Sequence, residues 1–176
     1  NSNNPQESTT HITIRLVPNS EESTPKMINL AELWSAMQII PPEPINNFQN
    51  FNLFLYTPGP EARAMCMNAG INIPGCYGPR IGLIIDTGES GIDSQITSAM
   101  SEWENTLLPD FGILLLETPA IRDGGLSFNS GEYNGYKTRY LNLPIPTTSI
   151  DWVIKGNYII IATSQETAHA AIDKVR

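Results

Sequence analysis

The chain has 176 residues, of which 40% are hydrophobic, and its 18 acidic against 10 basic side chains give a net charge of −8. That length suits one domain able to bury a core, and the composition is far from collagen-like, coiled-coil or disordered extremes. The longest apolar runs, residues 81–85, 111–116 and 158–162, fall far short of the roughly 18 residues of a transmembrane helix, so no membrane insertion is expected within this chain. A pI near 4.6 and the lack of a Lys/Arg cluster argue against nucleic acid, whose phosphates are bound through basic side chains.

Residues 1–10 are too polar to fold alone and read as an N-terminal arm leading into a single α+β domain over 11–176. The chain starts at Asn1 rather than Met, as expected of a mature terminus whose signal segment has been removed. At the other end it stops inside an apparent helix, which leads us to expect a longer parent. Ile12, Ile14 and Leu16 alternate with Thr13 and Arg15, the pattern of a half-buried strand over 11–17 that carries His11. Thr24 as a cap with Pro25 at the first helical position, followed by Met27, Leu30, Leu33, Trp34 and Met37, predicts an amphipathic helix over 25–38. It ends before the proline-rich segment at 41–44.

Residues 50–57 and 80–86 read as buried strands. Between them, 58–79 is rich in Gly and Pro, reads as a loop, and holds both cysteines, Cys66 and Cys76. Their spacing is not C-x-x-C, and the two histidines, His11 and His169, are remote in sequence, so a metal site is poorly supported. A Cys66–Cys76 disulfide is the expectation, with two buried thiols as the alternative. A disulfide implies an extracytoplasmic location, secreted or at the cell surface.

A turn at 87–91 leads into a helix over about 93–107, with Ile96, Met100, Trp103 and Leu107 on one stripe and Pro109 as its stop. The apolar run 111–117 is short enough to prefer strand. Asn134-Gly135 is the pair a type I′ hairpin needs, and it sets Glu132 opposite Lys137. Pro144 and Pro146 end that hairpin. Ile150, Trp152 and Ile154 alternate with Asp151, Val153 and Lys155, and Gly156-Asn157 then turns the chain into 158–163, a second hairpin of type II′. Ser164 caps a last helix with Ala168, Ala171, Ile172 and Val175 on one face. The sum is an α+β fold, a mostly antiparallel sheet of seven or eight strands with about three amphipathic helices. A strand–turn–helix unit recurs at 81–107 and 158–175, as any such domain can offer.

Residues 150–175, IDWVIKGNYIIIATSQETAHAAIDKV, resemble the C-terminal signature of a bacterial exported or membrane-anchored domain family of unknown function. In that family a hydrophobic hairpin ends near Ala-Thr-Ser and is followed by a helix with Ala-Ile-Asp. Residues 131–140 are similar to the strand pair that precedes it. The resemblance implies a cell-envelope location and a larger, membrane-anchored parent. It brings no catalytic residues.

Several stretches invite a chemical reading. Ile84-Ile85-Asp86-Thr87-Gly88 has the apolar-apolar-Asp-Thr-Gly form of an aspartic protease loop, but that chemistry needs two facing carboxylates and the chain has one copy. Asp86, Glu89 and Asp93 could supply oxygens to calcium, although they lack the EF-hand order. Gly88 and Gly91 echo a phosphate loop without its G-K-[ST]. No G-x-S-x-G exposes a serine nucleophile. Trp34 and Trp103 fall on core stripes, whereas Trp152, Tyr133, Tyr136 and Tyr140 lie on hairpins, where they either pack or form a ledge for a glycan or partner. No catalytic, cofactor-binding or metal residues are therefore assigned, and no cofactor. The reading is a non-enzymatic extracytoplasmic domain of a cell-envelope protein, acting through a protein partner or self-assembly, for example by the arm or strand 11–17 completing a neighbour's sheet. The alternatives are a secreted glycan- or peptide-binding module and a secreted hydrolase using Asp86.

Overall fold

A seven-stranded sheet in the order β1-β4-β5-β9-β8-β7-β6, antiparallel at every pairing, organises the protein. The computed structural model describes residues 8–12, 15–16, 26–72, 74–88, 94–115 and 125–175. The strands are β1 (Ser8–Ile12), β4 (Asn50–Thr57), β5 (Arg80–Asp86), β6 (Asn129–Tyr133), β7 (Tyr136–Asn142), β8 (Ser149–Lys155) and β9 (Tyr158–Ala162). A separate ribbon joins β2 (Arg15–Leu16) to β3 (Lys26–Met27). The helices are α1 (Leu30–Met37), α2 (Pro60–Asn68), α3 (Pro74–Tyr77), α4 (Ser94–Phe111) and α5 (Gln165–Lys174). The α+β class and antiparallel sheet match the sequence, and among the described residues there are five α-helices where about three were expected. No described helix is long and apolar enough to cross a membrane.

The alternation of strand side chains gives the sheet two apolar faces. On one, Leu53, Leu83, Ile85, Ile150, Trp152, Ile159 and Ile161 pack against α1 and α4 in the larger core, where Trp34, Trp103 and Phe111 meet edge to face. On the other, Phe54, Ile84, Val153 and Ile160 pack against Ala171 and Ile172 of α5. The Phe54 ring lies where a side chain on Gly82 would be, so the close approach of β4 and β5 on this face requires glycine there.

Both predicted hairpins are present. Asn134 and Gly135 take φ of +49° and +81°, and Gly156 takes +55°. Glu132 is opposite Lys137.

Four boundaries differ from the sequence reading. The first helix starts at Leu30, not 25, because Asn29 and Glu32 form a capping box: the Glu32 N–H donates to Asn29 Oδ1 at 2.9 Å and the Asn29 N–H to Glu32 Oε2 at 3.0 Å. Thr24 and Pro25 lie outside the described residues. The stretch 58–79 is not a loop but holds α2 and α3, the first opened by Gly59 as N-cap and Pro60 at N1. Pro109 does not stop α4, which runs on to Phe111 and a 3-10 turn over Gly112–Leu114, so the strand expected at 111–117 is helical as far as it is described. Near a helix C-terminus the lost proline N–H costs one bond, while the burial of Phe111 against both tryptophans favours continuing. Finally, β1 begins at Ser8, inside the stretch read as an arm, and it pairs with β4 of its own chain. Strand 11–17 therefore splits between this sheet and the β2–β3 ribbon.

Candidate functional site

A cluster of polar side chains lies where α5 meets the β6–β7 hairpin. Ser164 caps that helix, its Oγ accepting the Thr167 N–H at 3.2 Å, and Thr167, Ala168, Ala171 and Ile172 turn inward. His169 and Asp173 project towards the β6–β7 hairpin. The Tyr133 ring stacks on His169, its hydroxyl donates to Asp173 Oδ2 at 3.0 Å, and Asn134 Nδ2 donates to Asp173 Oδ1 at 2.7 Å. On the adjoining strand Lys155 Nζ donates to the Ile172 carbonyl at 2.5 Å and lies 5.2 Å from the Tyr136 ring centre. The hydrogen bond to Asp173, then burial, raises the Tyr133 phenol above its ordinary value. Burial lowers the His169 imidazole, against the carboxylates of Glu166 and Asp173. An open groove of about 450 Å³ runs along these residues, bounded also by Tyr56 and Lys174.

Beneath the first turn of α5 lies Asp151, only 2% exposed. The Ser149 hydroxyl donates to its Oδ2. Burial pushes its carboxyl up to about 7, with the Ser149 bond opposing and the Glu166 charge adding to the rise. A carboxyl so placed can hold or release a proton near neutrality. Its strand neighbours Val153 and Lys155 share its face, and only the docking of α5 turns that face into an interior.

A second polar node lies where α3 meets the β7–β8 connection. Cys66 and Cys76 are joined by a disulfide with 6.0 Å between Cα atoms, and both are fully buried beside Ile145. Next to it Arg80, 4% exposed, donates to the carbonyls of Gly75 (3.1 Å), Cys76 (2.6 Å), Gly78 (3.3 Å) and Thr147 (3.2 Å), and to the hydroxyls of Thr147 and Thr148. Burial lowers the guanidinium from its ordinary value, opposed by the charge of Glu166. The carbonyls do the work of a counterion, since their dipoles all point at one cation. Strand β5 is thereby tied to the disulfide segment.

On the opposite face Arg139 grips Glu104 of α4 with two bonds, Nε to Oε1 at 2.7 Å and Nη2 to Oε2 at 2.6 Å, and its Nη1 donates to Ser130 Oγ at 2.7 Å. Trp152 Nε1 donates to the same Glu104 Oε1 at 3.0 Å. Trp152 is therefore a core residue, which removes it from any exposed aromatic ledge, and Tyr133, Tyr136 and Tyr140 are half-buried.

Of the other residues singled out by sequence, Asp86 ends β5 with its Oδ1 accepting the Gly88 N–H at 2.8 Å, while Thr87 Oγ1 donates to the Asn157 carbonyl at 2.9 Å. Asp86 thus closes a turn. Glu89, Gly91 and Asp93 lie outside the described residues, and so do the side chain of His11 and the end of strand 11–17. Among the described residues no three His, Cys, Asp or Glu side chains are grouped to hold a metal ion. Sequence reasoning gave no role to Arg80 or Arg139, and the amphipathic stripe put Glu104 with Glu102 on the water-facing side of the helix, whereas Glu104 is turned to Arg139 and Trp152 with its side chain only 14% exposed. Lone charges in otherwise apolar or alternating segments were the available signal.

Comparison with protein-family models, with curated proteins and with solved structures gave no match.

Proposed function

We propose that this chain is a non-enzymatic extracytoplasmic domain of a cell-envelope protein, working through protein–protein contact or assembly. The observation that carries the reading is the fully buried Cys66–Cys76 disulfide, with the Cys76 carbonyl built into the acceptor set of Arg80. A fold that rests a buried cation on a crosslinked segment is suited to an oxidising compartment.

The non-enzymatic part of the reading is supported by how the polar side chains are used. Asp173 and His169 hold a hairpin tip, Glu104 and Arg139 join helix to sheet, and Asp86 closes a turn. Two measurements test the proposal. Mass spectrometry of natively isolated protein, alkylated without reductant, is expected to find Cys66 and Cys76 unmodified and crosslinked; two alkylated thiols overturn the location. Photo-crosslinking in cells is expected to trap protein at the sheet's exposed edge, and no adduct from any surface position overturns the interaction role.

A further inference from the structure

We propose that the chain pairs with a second copy of itself edge to edge through β6, across a two-fold axis at Gly131. The inference rests on the assembly reading above and names the partner. Within the β6–β7 hairpin, Tyr133 and Tyr136 flank the two-residue turn and are paired, as are Gly131 with Thr138 and Asn129 with Tyr140. A two-residue turn makes its flanking pair a hydrogen-bonded one, and hydrogen-bonded pairs alternate along an antiparallel ladder. Ser130 and Glu132 therefore turn their backbone N–H and C=O groups away from β7. Both are exposed, and β6 is the last strand of the sheet, with no strand on its far side among the described residues.

A second β6 laid antiparallel with Gly131 on the axis sets Ser130 opposite Glu132 of the other copy, twice. Each pair exchanges two backbone bonds, so four groups per copy that β7 leaves outward are satisfied together. The side chains agree with this register. Ser130, Glu132, Lys137 and Arg139 share one sheet face, and Arg139 Nη1 already rests on Ser130 Oγ. Across the joint the row reads Arg139, Ser130, then Glu132 and Lys137 of the second copy, so each Glu132 meets a neutral serine rather than a like charge, with Arg139, already bound to Glu104, one strand further on. A parallel in-register pairing would put Glu132 against Glu132, which is repulsive. The centre is bare because a Cβ on Gly131 would come within 2.9 Å of Thr138 Oγ1 in its own hairpin, and the two backbones can approach without side chains between them. Two five-residue strands bury far less than the roughly 1,200–2,000 Å² of a stable interface, so the pair is weak and reversible in solution.

The test is sedimentation velocity on the oxidised chain from micromolar to millimolar concentration, alongside mixed-cysteine crosslinking. The expected result is a concentration-dependent dimer that is lost in Glu132→Pro, which removes only an outward N–H, and in Glu132→Lys, which keeps the backbone and reverses the charge. Ser130→Cys mixed with Glu132→Cys is expected to crosslink at least tenfold more than either variant alone. A monomer at every concentration overturns the proposal, as does a dimer indifferent to both Glu132 variants or equal crosslinking in the unmixed cysteines. If β6 self-pairing fails while the cellular photo-crosslinks persist, only the choice of partner is wrong. If both fail, the assembly reading goes with it.

Discussion

The phenol ring of Tyr133 lies flat on the imidazole of His169, with 3.6 Å between centroids and 6° between planes. This contact, with the bonds from Tyr133 and Asn134 to Asp173, docks the β6–β7 turn on α5 and joins two elements far apart in sequence. Burial holds the imidazole below its usual 6.5, so the native state binds its proton less tightly than the unfolded chain does. The stabilisation is present above pH 6.5 and is lost as the pH falls through the lower native value. Titration followed by the His169 ring protons is expected to give a midpoint below 6.5, moving up towards it in Tyr133→Ala, which uncovers the ring. An unchanged midpoint in that variant would mean the stack does not bury the imidazole.

Asp151 gives the opposite slope. Its carboxyl stands at about 7 in the fold against 3.8 in the reference state, so the native protein holds this proton more tightly than the unfolded chain. Stability from this group is full below pH 3.8 and declines as the pH rises to about 7, by up to about 4 kcal/mol. Asp151→Asn keeps an acceptor for Ser149 and cannot ionise. Urea unfolding is expected to find it more stable than the parent at pH 8, with the advantage shrinking at pH 5. Equal pH dependence of the two proteins would refute the assignment.

These two groups also mark how far the sequence could be read. Local chemistry was legible: Asn134-Gly135, Gly156 and Ser164 each specify their turn or cap through interactions within four residues, and the cysteine pair reads as a disulfide from its spacing and the want of a metal-ligand set. What failed was whatever a distant partner decides. Phe111 continues a helix past Pro109 because Trp34 and Trp103 wait for it, and Trp152 leaves the candidate ledge because Glu104, 48 residues earlier, accepts its indole N–H. Asp151 sits on an alternating strand whose polar face would be wet if α5 did not cover it. The capping box at Asn29 and Glu32 is equally local, since an N-cap residue with Glu three positions on marks a helix start in the sequence itself.

The Arg139–Glu104 pair joins β7 to α4 with the guanidinium fork matched to both carboxylate oxygens. Side-chain exposure is 30% for Arg139 and 14% for Glu104, so the pair is partly shielded from water. Glu104→Gln keeps an oxygen for Trp152 but leaves the arginine without its charge partner. The expected cost is about 1–3 kcal/mol by chemical denaturation, reduced when Arg139→Met is already present. Strict additivity of the two changes would show that the contact contributes nothing of its own.

Arg80 and the disulfide depend on each other, and their coupling is measurable. The bridge closes a segment with a sequence separation of 10, and its removal by Cys66→Ala with Cys76→Ala is expected to cost about 2–3 kcal/mol through the freed unfolded chain. A second cost arises in the fold, because the carbonyls of Gly75, Cys76 and Gly78 stay in place around Arg80 only while α3 is anchored. Arg80→Met removes the buried cation and leaves those carbonyls unpaired, a loss on the order of 3 kcal/mol. With both sets of changes together, the total should fall short of the sum by more than about 0.5 kcal/mol, since a detached α3 has no pairing left to lose. Thermal or urea unfolding of the four proteins in the cycle measures it. A sum that holds within error would show that the two features stabilise the domain separately and that the crosslink is no part of the cation's site.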